Sequence, residues 1–166
     1  MSFTPRLTAP SLDNPYYYSN LNPYYAHGVG MPNCTAYAYG RVYEINGVQP
    51  TLYYGDAHNW YNGTTTYPKG STPALGSVLC MDGGNLGLGH VAIVEEILSN
   101  SVILCSESAY NSYVFRITTY SYPYAPSNYT FQGFIYTYSG GGGGTSRSNK
   151  FNFVLFNRKR RWQRYG

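Results

Sequence analysis

Gly89-His90-Val91-Ala92-Ile93-Val94-Glu95-Glu96-Ile97-Leu98-Ser99-Asn100-Ser101-Val102-Ile103-Leu104-Cys105-Ser106-Glu107 is the stretch from which the rest of the chain can be read. Two apolar runs rich in β-branched residues flank the turn signal Ser99-Asn100, so strands are predicted over 90–97 and 101–107. Paired as a hairpin about that turn, partner positions sum to roughly 199, which sets Glu107 beside His90 to Ala92. His90 follows a glycine-rich turn at the start of its strand. There its ring can face a cleft while Val91 and Ile93 follow the two-residue period. A carboxylate next to that imidazole would fix its tautomer and stabilise the imidazolium.

Outward from the hairpin, further short strands are predicted at 77–81, 114–119 and 131–138. Asp82-Gly83-Gly84-Asn85 and the segment from Pro123 to Asn128 serve as turns. Upstream, residues 53–72 are dominated by Gly, Asn, Asp and Thr and read as loop or short helix. Before them Pro32-Asn33 opens a helix. Asn is a strong N-cap, and Ala36, Tyr39 and Tyr43 recur on one helical face between residues 34 and 45, although Gly40 weakens the run. One helix followed by an antiparallel meander is an α+β layout.

With 166 residues there is room for one domain. The 21 tyrosines against 11% charged residues supply ample apolar surface to bury and argue against disorder. The domain is expected over 33–139, after an irregular lead-in at 1–32 that lays aromatic rings on it. A glycine-rich linker at 140–146 and a basic tail at 147–166 follow. The alternation in 150–156 reads as a tail strand. All seven acidic residues precede position 108 and seven of the eleven basic ones begin at Arg147. A tail of that charge seeks an anionic partner: teichoic acid, a virion component, a membrane surface or nucleic acid. Nucleic acid is the weakest of these, because the body is mildly acidic and has no aromatic-basic motif of the RNA-binding kind.

Cys34, Cys80 and Cys105 are odd in number and irregular in spacing, which is neither a disulfide framework nor a zinc site. Cys80 and Cys105 sit in strand patterns and are expected to be inert core thiols. Met1 to Pro10 lacks an apolar core, and no apolar run reaches the roughly 18 residues of a membrane span. The chain is therefore expected to be made in the cytoplasm without a signal peptide of its own. Cys34 stands apart from the other two thiols. At a helix N-terminus it meets unpaired N–H groups and the positive end of the helix dipole, which favour a thiolate nucleophile and can receive an oxyanion. Taken alone, Cys34, His90 and Glu107 could each be structural; together they make a nucleophile, a base and its orienter.

The same residues carry a family resemblance. Asn33-Cys34-Thr35-Ala36-Tyr37-Ala38, Gly55-Asp56-Ala57-His58-Asn59-Trp60, Pro73-Ala74-Leu75-Gly76-Ser77-Val78, Gly89 to Glu96, Ser106-Glu107-Ser108 and Phe131 to Tyr136 resemble, in order, the motifs of the cysteine, histidine-dependent amidohydrolase/peptidase (CHAP) family. The resemblance implies a papain-like fold and a peptidoglycan amidase or endopeptidase acting through Cys34, His90 and Glu107. It also implies an oxyanion hole at the Cys34 backbone N–H, helped by Asn33. Two departures stand out: Ala109 where many members have Asn, with Asn111 as the candidate replacement, and Asp56 where the family has Asn. Trp60, Tyr110 and Asn111 are candidate walls of the substrate cleft. The Asp-rich calcium loop of some relatives is absent, so neither metal nor other cofactor is expected. A phage-type lysin or virion-associated wall hydrolase is the leading expectation. A non-catalytic phage structural or binding module retaining the fold is the alternative.

Overall fold

The computed structural model describes residues 3–138. The expected linker at 140–146 and the basic tail with its strand lie outside the described residues. Among the described residues four helices precede the strands: α1 (Pro15–Tyr18), α2 (Pro23–Ala26), α3 (Cys34–Asn46) and α4 (Trp60–Gly63), with a 3₁₀ turn at Ala57–Asn59 leading into α4. The six strands of the described residues follow in the order β1 (Lys69–Gly70), β2 (Val78–Gly83), β3 (His90–Ser99), β4 (Val102–Glu107), β5 (Arg116–Ser121) and β6 (Tyr129–Ile135). They form one antiparallel sheet in the spatial order β1-β6-β2-β3-β4-β5. The α+β class read from the sequence is the one observed.

A plain meander is not. After β5 the chain crosses back and lays β6 against β2. The burial of the strands explains the return. Val78, Leu79, Cys80 and Met81 of β2 are all fully buried, so this strand sits inside the sheet and takes ladder partners on both sides. β5 buries little beyond Tyr120 and serves as an edge.

Helix α3 begins where the sequence places it. The Asn33 side chain accepts from the Thr35 N–H at 2.9 Å, and Gly47 ends the helix with a left-handed backbone at φ 67°. Gly40 is a packing residue. A Cβ there would come within 2.7 Å of both the Tyr16 carbonyl oxygen and the Tyr17 ring, because α1 crosses α3 at that point. The segment before Asn33 is thus more than an irregular lead-in. Asn14-Pro15 and Asn22-Pro23 each open a one-turn helix, the Asn capping and the Pro at the first helical position. Tyr17, Asn22 and Tyr24 from this segment are buried in the body.

Apolar residues cover both sheet faces. Val78, Cys80, Val91, Ile93 and Ile135 pack with α3, Tyr17, Tyr24 and Trp60, while Leu79, Met81, Ala92, Val94, Ile103, Cys105 and Phe134 pack with Tyr120 and Tyr124. Through the first layer runs a buried ionic cluster. Arg41 of α3 donates Nε to Glu95 Oε1 at 2.8 Å and Nη2 to Glu95 Oε2 at 2.9 Å, and its Nη1 reaches Glu44 Oε2 at 2.8 Å. Glu95 also accepts from Ser106 Oγ at 2.6 Å and the Arg6 N–H at 2.9 Å, while the Arg6 guanidinium pairs with Glu44. One ionic knot thus fixes the N-terminal segment, the helix and the sheet relative to each other. Replacing Arg41 by Met should strand the fully buried Glu95 carboxylate and cost about 3–5 kcal/mol. The midpoint of urea unfolding measures this, and a loss under about 1 kcal/mol would show the cluster to be dispensable.

Candidate active site

At the β3–β4 hairpin the register is the one the turn implies near the site. Ile93 pairs with Ser106 and Val94 with Cys105, and two slips follow toward the turn. Beyond the Ile93–Ser106 pair, Glu107 one residue on and His90 three residues back bring the ends of the two strands together. The imidazole Nε2–H donates to Glu107 Oε2 at 2.8 Å, and both side chains are buried. The other ring nitrogen is left for Cys34 in the first turn of α3, whose sulfur acts on the imidazole by favouring its protonated form, and the two side chains line one cleft. Helix and sheet therefore deliver the three expected residues to one point.

His90 is aimed by the backbone before it. Gly89 has φ 72°, and a Cβ there would lie 2.5 Å from the His58 nitrogen and 2.6 Å from the Met81 carbonyl oxygen, so only glycine fits. On the helix side, Ser108 ties the site together. Its Oγ accepts from the Asn33 N–H at 3.1 Å and donates to the Tyr113 carbonyl at 3.0 Å, joining the end of β4 to the start of α3.

Glu107 is a hub that the sequence reading did not anticipate. Oε2 accepts from Tyr120 O–H at 2.7 Å as well as from His90. Oε1 accepts from Tyr113 O–H at 3.1 Å, Thr118 O–H at 2.6 Å and the Arg116 guanidinium at 2.9 and 2.6 Å. Arg116, Thr118 and Tyr120 alternate along β5, and Arg116 is the register partner of Glu107. Their two-residue spacing was legible in the sequence; that they face a carboxylate on β4 follows only from strand pairing. The Arg116 guanidinium also lies over the Tyr113 ring, 4.1 Å from its centroid.

The electrostatics follow. Burial opposes the Glu107 charge, but the hydrogen bond and charge of His90, with the Thr118 and Tyr120 hydroxyls, hold its carboxyl down at about 2. Burial likewise opposes the imidazolium, yet hydrogen bonds to Cys34 and Glu107 raise His90 to about 9. The other two thiols are fully buried and pushed far up by desolvation, so Cys80 and Cys105 are inert by environment.

A cleft of about 730 Å³ opens on the thiol, lined among others by Tyr24, Val29, Tyr54, Asp56, Leu86, Leu88, Tyr110 and Tyr129. Of the expected cleft walls, Tyr110 is in place. Trp60 is not: it is fully buried, its indole N–H bonded to Tyr24 Oη and the Gly55 carbonyl, because the 3₁₀ turn rolls it into the core. Asn111 is exposed on the turn after β4 with φ 51° and does not line the cleft, so it does not stand in for the missing Asn at Ala109. Asn33 lines the cleft with its polar groups engaged: Oδ1 accepts from the Thr35 N–H and O–H, and Nδ2 donates to the Val29 carbonyl. Cys34, at the first helical position, has a backbone N–H with no intrahelical acceptor. His27 and His58 do not line the cleft. Tyr54 and Tyr129 do, and among 21 tyrosines no sequence signal marks them.

Among the described residues no group of three or more His, Cys, Asp or Glu is placed to hold a metal ion, and no helix is long and apolar enough to cross a membrane.

Comparison with known proteins places the chain among wall-amidase relatives. The chain is 36% identical over 90 residues to an N-acetylmuramoyl-L-alanine amidase domain-containing protein of Staphylococcus aureus, covering 51% of this chain and 14% of that protein. It is 34% identical over 101 residues to an N-acetylmuramoyl-L-alanine amidase of Staphylococcus epidermidis, covering 59% and 30%. The crystal structure of an N-acetylmuramoyl-L-alanine amidase from Staphylococcus aureus superposes with a TM-score of 0.50 at 28% identity, over 64% of this chain and 32% of that one. The chain thus spans a third or less of the length of these relatives. The CHAP domain model matches residues 24–109, just over half of the chain and inclusive of Cys34, His90 and Glu107, and the protein belongs to the CHAP family.

Proposed function

We propose that the chain is a cysteine-dependent peptidoglycan hydrolase that cuts an amide bond of the bacterial cell wall. The observation that carries this is the buried His90–Glu107 pair set against a helix-start thiol at the floor of an open cleft. The Cys34 thiolate attacks the carbonyl carbon, and the oxyanion settles on the Cys34 N–H at the helix start. His90 gives its proton to the departing amine nitrogen, leaving an acyl thioester on Cys34. A water molecule, its proton taken by His90, then attacks the thioester carbonyl and releases the acid and the thiol. Glu107 keeps its charge throughout, holding the ring and stabilising the imidazolium.

The names of the relatives point to the amide between N-acetylmuramic acid and L-alanine; a peptide bond within the stem or bridge is the other scissile class. The chemistry serves a bacteriophage lysin or virion-associated enzyme, the origin the sequence suggests, as well as a bacterial wall amidase. The seven basic residues from Arg147 onward would add affinity for an anionic partner such as teichoic acid or a virion protein. Walls digested by the protein should gain free amino groups without gaining reducing sugar ends; the reverse would mark a glycosidase and overturn the reading. Binding to walls stripped of teichoic acid should be weaker than to intact walls, with the gap closing as salt rises. Equal binding at low salt would remove the tail from the account.

A further inference from the structure

Apart from the catalytic residues, the cleft lining holds one ionisable carboxylate, Asp56, and no Lys or Arg. Asp56 is exposed, makes no capping bond to the 3₁₀ turn that follows it, and has no salt-bridge partner among the described residues. Its place in the wall is nonetheless fixed from both sides. Gly55 is gripped by the Tyr24 hydroxyl, which accepts from its N–H at 3.1 Å, and its carbonyl accepts from Trp60 Nε1 at 3.2 Å. The Asp56 carbonyl accepts from the Asn59 N–H at 3.1 Å, and His58 N–H donates to the Leu88 carbonyl at 2.9 Å, tying this segment to the glycine-rich loop on the other wall. The neighbouring Tyr54 ring is half-exposed and packs between the Tyr24 ring, centroids 4.9 Å apart, and the His27 ring at 5.3 Å. A rigidly presented carboxylate with no salt-bridge partner, on the same wall as a half-exposed tyrosine ring, is a receptor for an ammonium group.

We infer that Asp56, with Tyr54, selects substrates whose stem peptide brings a protonated amine into the cleft. The inference rests on the peptidoglycan reading above and names the feature of the stem peptide that this site recognises. Two sources offer that chemistry: the free side-chain amine of a diamino acid in the stem, and the free amino terminus of a peptide branch built on it. An amide at position 56 would keep the shape of the side chain and remove the attraction.

Binding separates these possibilities without needing turnover. Full-length protein carrying Cys34→Ala is titrated calorimetrically with two soluble muropeptides. One bears the free side-chain amine; the other has that amine extended by a short peptide with a free terminus. Each has an N-acetylated twin. One amine should bind about five- to tenfold more tightly than its twin, and which pair shows the difference identifies the source. Adding Asp56→Asn should bring that ratio close to one. Equal binding of amine and acetylated forms in both pairs, or a ratio that survives Asp56→Asn, overturns the inference while leaving the peptidoglycan reading standing. If no muropeptide binds in any form, both fall together.

Discussion

Cys34→Ala should remove amide hydrolysis by a factor on the order of 10⁵ or more, because nothing else in the cleft can form the acyl intermediate. The remaining apparatus, a helix-start N–H and a buried imidazole–carboxylate pair, would orient a substrate and polarise its carbonyl without a nucleophile. The substitution is small: Cys34 packs as a short side chain at the end of α3, and the Asn33 cap that starts the helix does not involve it. The fold should therefore survive, which far-ultraviolet circular dichroism can verify. A chemical control follows from the environments of the three thiols. Cys80 and Cys105 are fully buried and their desolvation favours the unreactive thiol, so brief iodoacetamide treatment of native protein should add one carbamidomethyl group, at Cys34, in step with loss of activity. No addition should occur in the Cys34→Ala protein. Undiminished lysis by that variant would show that Cys34 is not the nucleophile and overturn the cysteine-hydrolase reading; absence of lysis by the parent itself would instead leave the non-catalytic module as the better account of the fold.

Local signals foretold the elements that bring the site together. Asn33 announces the helix because an N-cap acts within one turn, and the β3–β4 register near the site follows from a short turn between two apolar runs. The slips further along the hairpin, between Val94 and Glu96 and again between Ile97 and Ser99, have no comparable mark in the sequence. What went unseen depends on contacts distant in the chain. Glu95 looks like a surface residue at the end of an apolar run, yet it is buried because Arg41, from a helix 54 residues away, meets it there. An aromatic in a Gly- and Asn-rich loop can face out as well as in, so the sequence alone leaves Trp60 a candidate for the cleft; the hydroxyl of Tyr24 and the carbonyl of Gly55 settle it inward. The one-turn helices at Asn14-Pro15 and Asn22-Pro23 carry their start signal openly but are too short to show a helical period. The same limit hid the β5 side of the site, since Arg116, Thr118 and Tyr120 mean nothing until the strand lies beside Glu107.

Those β5 residues make Glu107→Gln the more informative of the two large effects: a rate lower by about 10²–10⁴ and an alkaline limb displaced toward lower pH. Every partner of the Glu107 carboxylate in the structure can donate, and Arg116 can do nothing else. Glutamine brings one oxygen and one NH₂. Arg116 and Thr118 claim the oxygen, so the NH₂ is turned toward His90 and Tyr120. Tyrosine can rotate its hydroxyl to accept; the imidazole can accept only at an unprotonated Nε2. His90 is then held neutral with its proton on Nδ1, pointing at the thiol it should activate. The sign of the pH effect is fixed by the same geometry. In the parent, burial lowers the imidazolium but Cys34 and Glu107 raise His90 to about 9. Its contribution to stability is therefore full below about 6.5 and lost as pH rises through about 9. Glu107, held down at about 2, contributes above about 4.5 and loses that contribution as pH falls toward 2. Without the carboxylate, burial of His90 is no longer offset on that side, so its titration falls toward or below the ordinary histidine value and the alkaline limb of the rate profile follows it. The stability lost on substitution should accordingly be larger at pH 6 than at pH 10. Histidine titration by nuclear magnetic resonance, read beside the pH–rate profile, tests each step. A Glu107→Gln protein within tenfold of the parent rate and with its alkaline limb unmoved would show that Glu107 neither orients nor charges His90.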